Sequence, residues 1–324
     1  MASGPLPVPR RVVTLTLNPA LDLATSADHV IPGPKLRCDA PQMDPGGGGI
    51  NVSRAIRILG GDSMALIVAG GPAGGTLEAL LRDGGIEPVV LPAPGPTRES
   101  LSVTDRATGR QFRFVMPGPV WGPADTDAVL RAVLNIAKAG DILVMSGSQP
   151  PGVPDDLPLT LAHHLAALGA DLVLDTSGAA LRHVIAHPSP TPVRVLRMDA
   201  SEAAELAGAP LEHRRDSADF ATGLVARGVA RTVIVARGDD GSVLAHEGGR
   251  LHCVSPRVEV LSKVGAGDSF TGAFVLALAG GAPMAEALRT GVAAAASAVT
   301  TEATSLCIRE EVLRLTPLCT ISDI

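Results

Sequence analysis

An α/β fold, in which helices cover a mostly parallel sheet and a small β insertion interrupts the alternation, is predicted by three features of the chain. Compact β-branched runs alternate with segments whose apolar residues recur at helical spacing. The 36 glycines and 27 prolines are scattered between these runs, so they punctuate elements and do not form a disordered tract. The period changes from helical to alternating in one region, around residues 99–116. At 324 residues, 46% of them hydrophobic, the chain has room for one large domain with an appendage.

Residues 12–17 (VVTLTL) are compact and β-branched, as a buried strand is. A polar, proline-punctuated stretch runs to Pro45. Gly46 to Gly49 then lead into a helix over 50–59, which Gly60-Gly61 ends. Residues 64–69 read as the next strand and 73–83 as the next helix, and a strand–helix–strand succession implies parallel pairing. Alternating segments 99–105 and 110–116 flank Thr108-Gly109 as a hairpin, and with 28–45 they make up the β insertion. A helix over 124–138, a strand over 142–146, a helix over 155–168 and a strand over 171–175 resume the alternation. Strands near 193–197 and 231–236 follow, and the end of the chain is helical at 267–279, 284–299 and 309–315.

Composition excludes several function classes. Aromatic residues make up 2% of the chain, with no Tyr, so a base-stacking nucleic-acid platform has no rings to use. The net charge of −6 without a basic stripe gives phosphate-backbone binding no support, and an anionic substrate would need a local pocket. Cys38, Cys253, Cys307 and Cys319 show neither close pairing nor metal-ligand spacing, as expected of reduced cytosolic thiols. Residues 1–11 lack the apolar core of a signal peptide, and no apolar run approaches the ~20 residues of a membrane span. A cytoplasmic location is expected, with neither a nucleic-acid nor a membrane partner.

The segment richest in chemistry is Val264-Gly265-Ala266-Gly267-Asp268-Ser269-Phe270-Thr271-Gly272. Small residues precede a helix that starts near Asp268, and the unpaired amides of such a start carry partial positive charge suited to a phosphate. An acid at that mouth can take the proton of an attacking hydroxyl, although an Asp at a helix start is on its own also an ordinary N-cap. The chain has no G-x-x-x-x-G-K-[ST] loop and no protein-kinase motif set, so phosphoryl transfer here would use another architecture.

Three segments, taken in order, resemble one family over nearly the whole chain. They are Asn18-Pro19-Ala20-Leu21-Asp22, residues 45–54 (PGGGGINVSR) and residues 263–269 (KVGAGDS), supported by 35–41, 113–118 and 146–152. Together they resemble the PfkB/ribokinase family of carbohydrate kinases, and more narrowly its 6-phosphofructokinase branch. The resemblance implies a ribokinase-like three-layer sandwich over 1–27, 46–96 and 118–324, with a β lid at 28–45 and 97–117 that clasps a second copy in a homodimer. It implies ATP and Mg²⁺, with a monovalent cation such as K⁺.

Residue by residue, the resemblance gives Asp268 as general base, with Gly265, Ala266 and Gly267 as the anion hole. Asp22, Gly47, Gly48 and Asn51 match sugar contacts. Arg98 and Ser148 match the substrate-phosphate pocket, and Lys35 and Arg37 match lid cations that can act in the partner subunit. Gly48 stands where kinases of fructose 1-phosphate and tagatose phosphates carry Lys, which favours fructose 6-phosphate as acceptor. A kinase for tagatose 6-phosphate or fructose 1-phosphate is the alternative within the class. A sugar-phosphate-binding regulatory protein is the alternative outside it.

The nucleotide side departs from the family pattern. Arg197 and Asp199 replace a Lys-Pro-Asn, although Glu202, the Mg²⁺-network position, is kept. Ala236 replaces a hydroxyl residue in the loop that continues through Gly238 and Gly241, and Ala303-Thr304 replaces Gly-Thr. Asp199 is expected to repel nucleotide phosphates unless a metal or Arg197 offsets it.

Overall fold

The computed structural model describes residues 9–301 and 305–324. Its strands, in chain order, are β1 (Val12–Thr16), β2 (Ala20–Ala27), β3 (Gln42–Gly46), β4 (Met64–Ala69), β5 (Val89–Pro92), β6 (Arg98–Asp105) and β7 (Gln111–Val115). They continue as β8 (Ile142–Ser146), β9 (Asp171–Asp175), β10 (Val195–Asp199), β11 (Thr232–Ala236), β12 (Ser242–His246), β13 (Gly249–Val254) and β14 (Thr320–Asp323). Ten of them form one sheet in the order β14-β13-β12-β11-β10-β9-β8-β1-β4-β5. From β5 to β11 every pairing is parallel, whereas β12, β13 and β14 add antiparallel strands at one edge.

The parallel strands inside the sheet are buried on both faces, which is why they read as continuous apolar runs, while β5 at the edge is half-buried. Alternate residues divide between two cores. Val13, Leu15, Leu143, Met145, Leu172, Leu174 and Leu196 face one set of helices, among them Pro123–Ile136, Leu157–Ala167 and Gly178–Ala186. Val12, Ile142, Val144, Val173, Val195 and Ile234 face Gly48–Ile58, Ala266–Ala279 and Met284–Ala298. The result is the expected three-layer sandwich. No helix among the described residues is long and apolar enough to cross a membrane.

The second sheet, in the order β3-β2-β6-β7, is the small insertion, and its boundary differs from the expected one. The sequence places residues 1–27 in the main domain, but Ala20–Ala27 is an inner strand of the small sheet. Within 28–45, strand begins only at Gln42. The reason is non-local: β2 pairs in parallel with β6, Ala20 opposite Arg98, a contact no local pattern announces. Register puts Met43, Leu23, Leu101 and Phe114 in one row on one face, and Asp44, Asp22 and Ser100 in a row on the other.

Candidate active site

The C-terminal ends of parallel strands are where open α/β sheets bind ligands. Here those ends carry Ser146 (β8), Asp175 (β9) and Arg197 (β10), which line one pocket of about 150 Å³ with Gly147, Thr176, Ser177, Glu202 and Asp268. Two helices start at this edge without a side-chain cap. One, Gly48–Ile58, begins after Gly47; the other, Ala266–Ala279, begins after Gly265, whose φ of 74° lies in the left-handed region that favours glycine. Their leading amides are therefore left for a ligand. The helices pack closely because a Cβ at Gly272 would stand 2.8 Å from that of Ala55.

The glycine run is a steric necessity of this corner. A Cβ at Gly48 would strike Ser146 Oγ and come within 2.6 Å of the Gly147 amide nitrogen, while one at Gly46 would strike the Asp22 carboxylate.

Asp268 sits in the first turn of its helix, and Asn51 Nδ2 donates to its Oδ2 at 3.0 Å. Burial pushes the Asp268 carboxyl up to about 6 and the nearby Asp175 charge adds to this, against the Asn51 amide, Arg197 and Ser146. Arg197 pairs with Asp175 at 3.1 Å and lies 5.4 Å from the centre of the Phe270 ring, and Thr271 Oγ1 donates to Asp175 at 2.8 Å. A Cβ at Gly267 would reach within 3.0 Å of Arg197 Nη1, so the guanidinium lies directly behind the Gly265–Ala266–Gly267 turn.

On the small-sheet side, burial raises the Asp22 carboxyl and the opposing Asp44 adds to this, while Arg98, Arg113 and the Ser100 hydroxyl oppose it. Asp22, Ser100 and Arg113 line a second, shallow pocket, which reaches Val264. Arg98 is part-buried and donates to the Asn18 carbonyl oxygen through Nε and Nη2, at 3.3 and 3.2 Å.

The structure brings Asp268, Asn51, Gly48 and the 265–267 turn together, with Asp22 against Gly46 of the same glycine run and Arg98 near Asp22. Ser148, Lys35 and Arg37 lie away from this point. Ser148 is exposed and accepts from Asn18 Nδ2 at 3.2 Å, whereas its neighbour Ser146 lines the Asp268 pocket. Lys35 and Arg37 are exposed on the irregular segment before β3, which Arg106 anchors through Asp28 and Asp39. Within this chain neither cation reaches Asp268.

Asp199 corrects an expectation. Its carboxylate caps the helix Ala200–Ala207, accepting from the Ser201 and Glu202 amides at 2.8 and 2.9 Å, and Glu202 Oε2 accepts from the Asp199 amide in return. Burial works against the Asp199 charge, but the Glu202 and Ser201 donors prevail and hold its carboxyl below the ordinary value. The charge is thus held by the donors of the helix start. Burial raises Glu202. Ala236 ends β11 beside Asp199, and Gly238 and Gly241 shape the turn that follows, with φ of 64° and 79°. Ala303-Thr304 lies outside the described residues.

Arg54, Ser146, Asp175 and Arg113 were missed. Arg54 follows Asn51 by three residues, the spacing that places side chains on one helix face. Asp175 closes a parallel strand, where functional groups concentrate.

A family model described as pfkB family carbohydrate kinase matches residues 16–311. The chain belongs to this family. It is 39% identical over 304 residues to the ATP-dependent 6-phosphofructokinase isozyme 2 of Mycobacterium tuberculosis, covering 94% of this chain and 88% of that protein. Its fold matches phosphofructokinase-2 from Escherichia coli in complex with fructose-6-phosphate, with a TM-score of 0.87 and 35% identity over 95% of this chain and 98% of that one. A structure of the same E. coli protein in complex with potassium matches with a TM-score of 0.90 and 37% identity, at the same coverage.

Proposed function

We propose that this carbohydrate kinase transfers the γ-phosphoryl group of ATP to the 1-hydroxyl of fructose 6-phosphate. The observation that carries the reading is Asp268 itself: a carboxyl raised to about 6, held by Asn51, where two uncapped helix starts meet. The names of the 6-phosphofructokinase relatives support the choice of acceptor and donor.

In this reading the ionised Asp268 accepts the hydroxyl proton as the sugar oxygen bonds to the γ-phosphorus and the bond to the departing ADP oxygen breaks. A base so placed contributes ~10²–10⁴-fold. The amides of Ala266, Gly267 and Asp268 offset charge on the transferred group, with the Arg197 guanidinium behind them. Asp22 and Asn51 hold sugar hydroxyls. Arg98 and Arg113 take the substrate phosphate, with Ser148 on the same rim, and Arg offers the planar fork that suits it. Arg197, Glu202 and the Asp199-to-Gly241 edge flank the nucleotide.

Mg²⁺ fits as a nucleotide-borne ion. Among the described residues no cluster of three potential ligands forms, yet Glu202 and Asp175 line the Asp268 pocket, and Mg²⁺ commonly takes one or two carboxylates plus phosphates. Bound there, it neutralises phosphate charge. A structure of the E. coli relative in complex with potassium supports a monovalent cation such as K⁺ as a further cofactor.

The small sheet acts as a lid, and its outer row supports a homodimer. Met43 and Phe114 are 45% and 51% exposed in line with Leu23 and Leu101, an apolar stripe that a second copy would cover. Lys35 and Arg37 would then reach the partner's substrate phosphate.

The test is ADP release with Mg-ATP against fructose 6-phosphate, fructose 1-phosphate, tagatose 6-phosphate and unphosphorylated sugars, with the product assigned by ³¹P NMR. Preferred turnover of fructose 6-phosphate to the 1,6-bisphosphate is expected. Turnover of none of them, with fructose 6-phosphate still bound, would replace the kinase with a sugar-phosphate sensor.

A further inference from the structure

We infer that Arg54 sets the orientation of the Asn51 amide, so that a hydrogen-bond donor and not an acceptor faces Asp268. The inference deepens the reading of Asp268 as the base and rests on it. Asn51 lies between the two charged groups: Arg54 Nη1 donates to its Oδ1 at 3.1 Å, and its Nδ2 donates to Asp268 Oδ2 at 3.0 Å. Arg54 is itself fixed. The same Nη1 donates to the Pro45 carbonyl oxygen at 3.3 Å, and Nη2 stands 3.8 Å from Asp44.

The logic follows from what each group can offer. A guanidinium carries donors only, so the end of the amide turned toward it must be the oxygen. The other end is then NH₂, and Asp268 receives a donor. An Asn without that neighbour has two ends of nearly equal size, and either can face the acid. With Oδ1 turned inward, the only stable partner is a protonated carboxyl, which cannot serve as a base.

Other groups act on the same carboxylate. Asp175 and Arg197 face it from β9 and β10, and Ser146 from β8. Arg54 feels Asp44, Asp22 and Asp268, and these support a charge that its burial disfavours. Arg54 is therefore a positioning residue that acts through Asn51.

The experiment follows the Asp268 titration in the free, full-length protein by ¹³C carboxyl NMR of Asp-labelled samples, with Asp268→Asn assigning the resonance. Asn51→Leu removes the amide, and its midpoint is expected to rise by about one unit, of the order seen for a lost hydrogen bond to a buried carboxylate. Arg54→Met should raise the midpoint by a similar amount. In the Asn51→Leu background, Arg54→Met should add less than half of that, because the amide it orients is gone. Arg54→Lys keeps a donor-only head and should hold the midpoint near that of the wild type.

Equal shifts from Arg54→Met in both backgrounds would mean that Arg54 acts by charge alone, and would overturn the inference. So would no shift in either. If Arg54→Met does not fold, Arg54→Lys carries the test: a rise as large as that of Asn51→Leu overturns the inference. Full turnover by Asp268→Asn would remove the catalytic reading but leave the NMR result on the amide intact.

Discussion

Two helix starts at the same edge of the sheet are built in opposite ways. The helix Ala200–Ala207 has a complete capping box, in which Asp199 accepts from two amides and Glu202 from a third. The helix Ala266–Ala279 starts at Gly265 with no side-chain cap at all. Capping an exposed start stabilises by roughly 0.5–2 kcal/mol, so leaving one open has a cost in stability. That cost is tolerated at the start that holds Asp268, where open amides can meet a phosphoryl group, and is removed at the start that only flanks it. Acidic residues at both starts look alike in sequence. One is fastened by its own helix, and the other is held from outside by Asn51.

Gly48→Ala should break the comparison on its active side. The added Cβ lies 2.6 Å from the Gly147 amide nitrogen, so one of the two backbones must move and the base–amide geometry with it. We expect a loss of more than ~100-fold in kcat, the scale set by small displacements of reacting groups. A rate within a few-fold of wild type would show that the corner yields without harm.

The pH dependence should be next in size. Asp268 must be ionised to act, and its carboxyl is raised to about 6. kcat/KM, which reports the free enzyme, should therefore fall tenfold per pH unit below about 6 and level off above it. The linkage runs the other way for stability. The folded state binds this proton more tightly than the unfolded one, so the ionised group destabilises at pH 7, and that penalty fades as pH falls below 6 toward the unfolded value. Thermal melts of Asp268→Asn should accordingly be higher than wild type at pH 7 and equal to it near pH 4.

Asp199→Ala sharpens the other side. Losing a cap should cost about 0.5–2 kcal/mol in urea unfolding and leave kcat within a few-fold. A large loss of kcat with unchanged stability would return Asp199 to the nucleotide site. Smallest of all, Gly75→Ala lies in the helix Gly71–Asp83 with nothing within 4 Å of the new Cβ, and should stabilise by about 0.4–1 kcal/mol with no effect on turnover.

Much of this could be read from residues alone. The parallel strands from β4 to β11 were legible because burial on both faces writes them as apolar runs, whereas the half-buried edge strand β5 was not, and Asp268, Asn51 and the glycine turns were legible because they stand in dense motifs. Strands β12, β13 and β14 were not, being short, antiparallel and joined to a terminus far along the chain. Nor was the place of Ala20–Ala27, whose partner strand begins at Arg98. Arg54 and Asp175 were hidden differently: each is an ordinary charge in sequence, and only folding brings Arg54 against Asn51 and Asp175 against Arg197. Asp199 reads in sequence as a bare charge beside the nucleotide, and only the fold shows that its carboxylate is taken up by the start of its own helix.

The most direct test of Asp268 as the base is turnover by Asp268→Asn with Mg-ATP and fructose 6-phosphate, with binding of the sugar phosphate measured on the same sample. The account predicts a kcat lower by ~10²–10⁴-fold with binding retained. Turnover at the wild-type rate would contradict it.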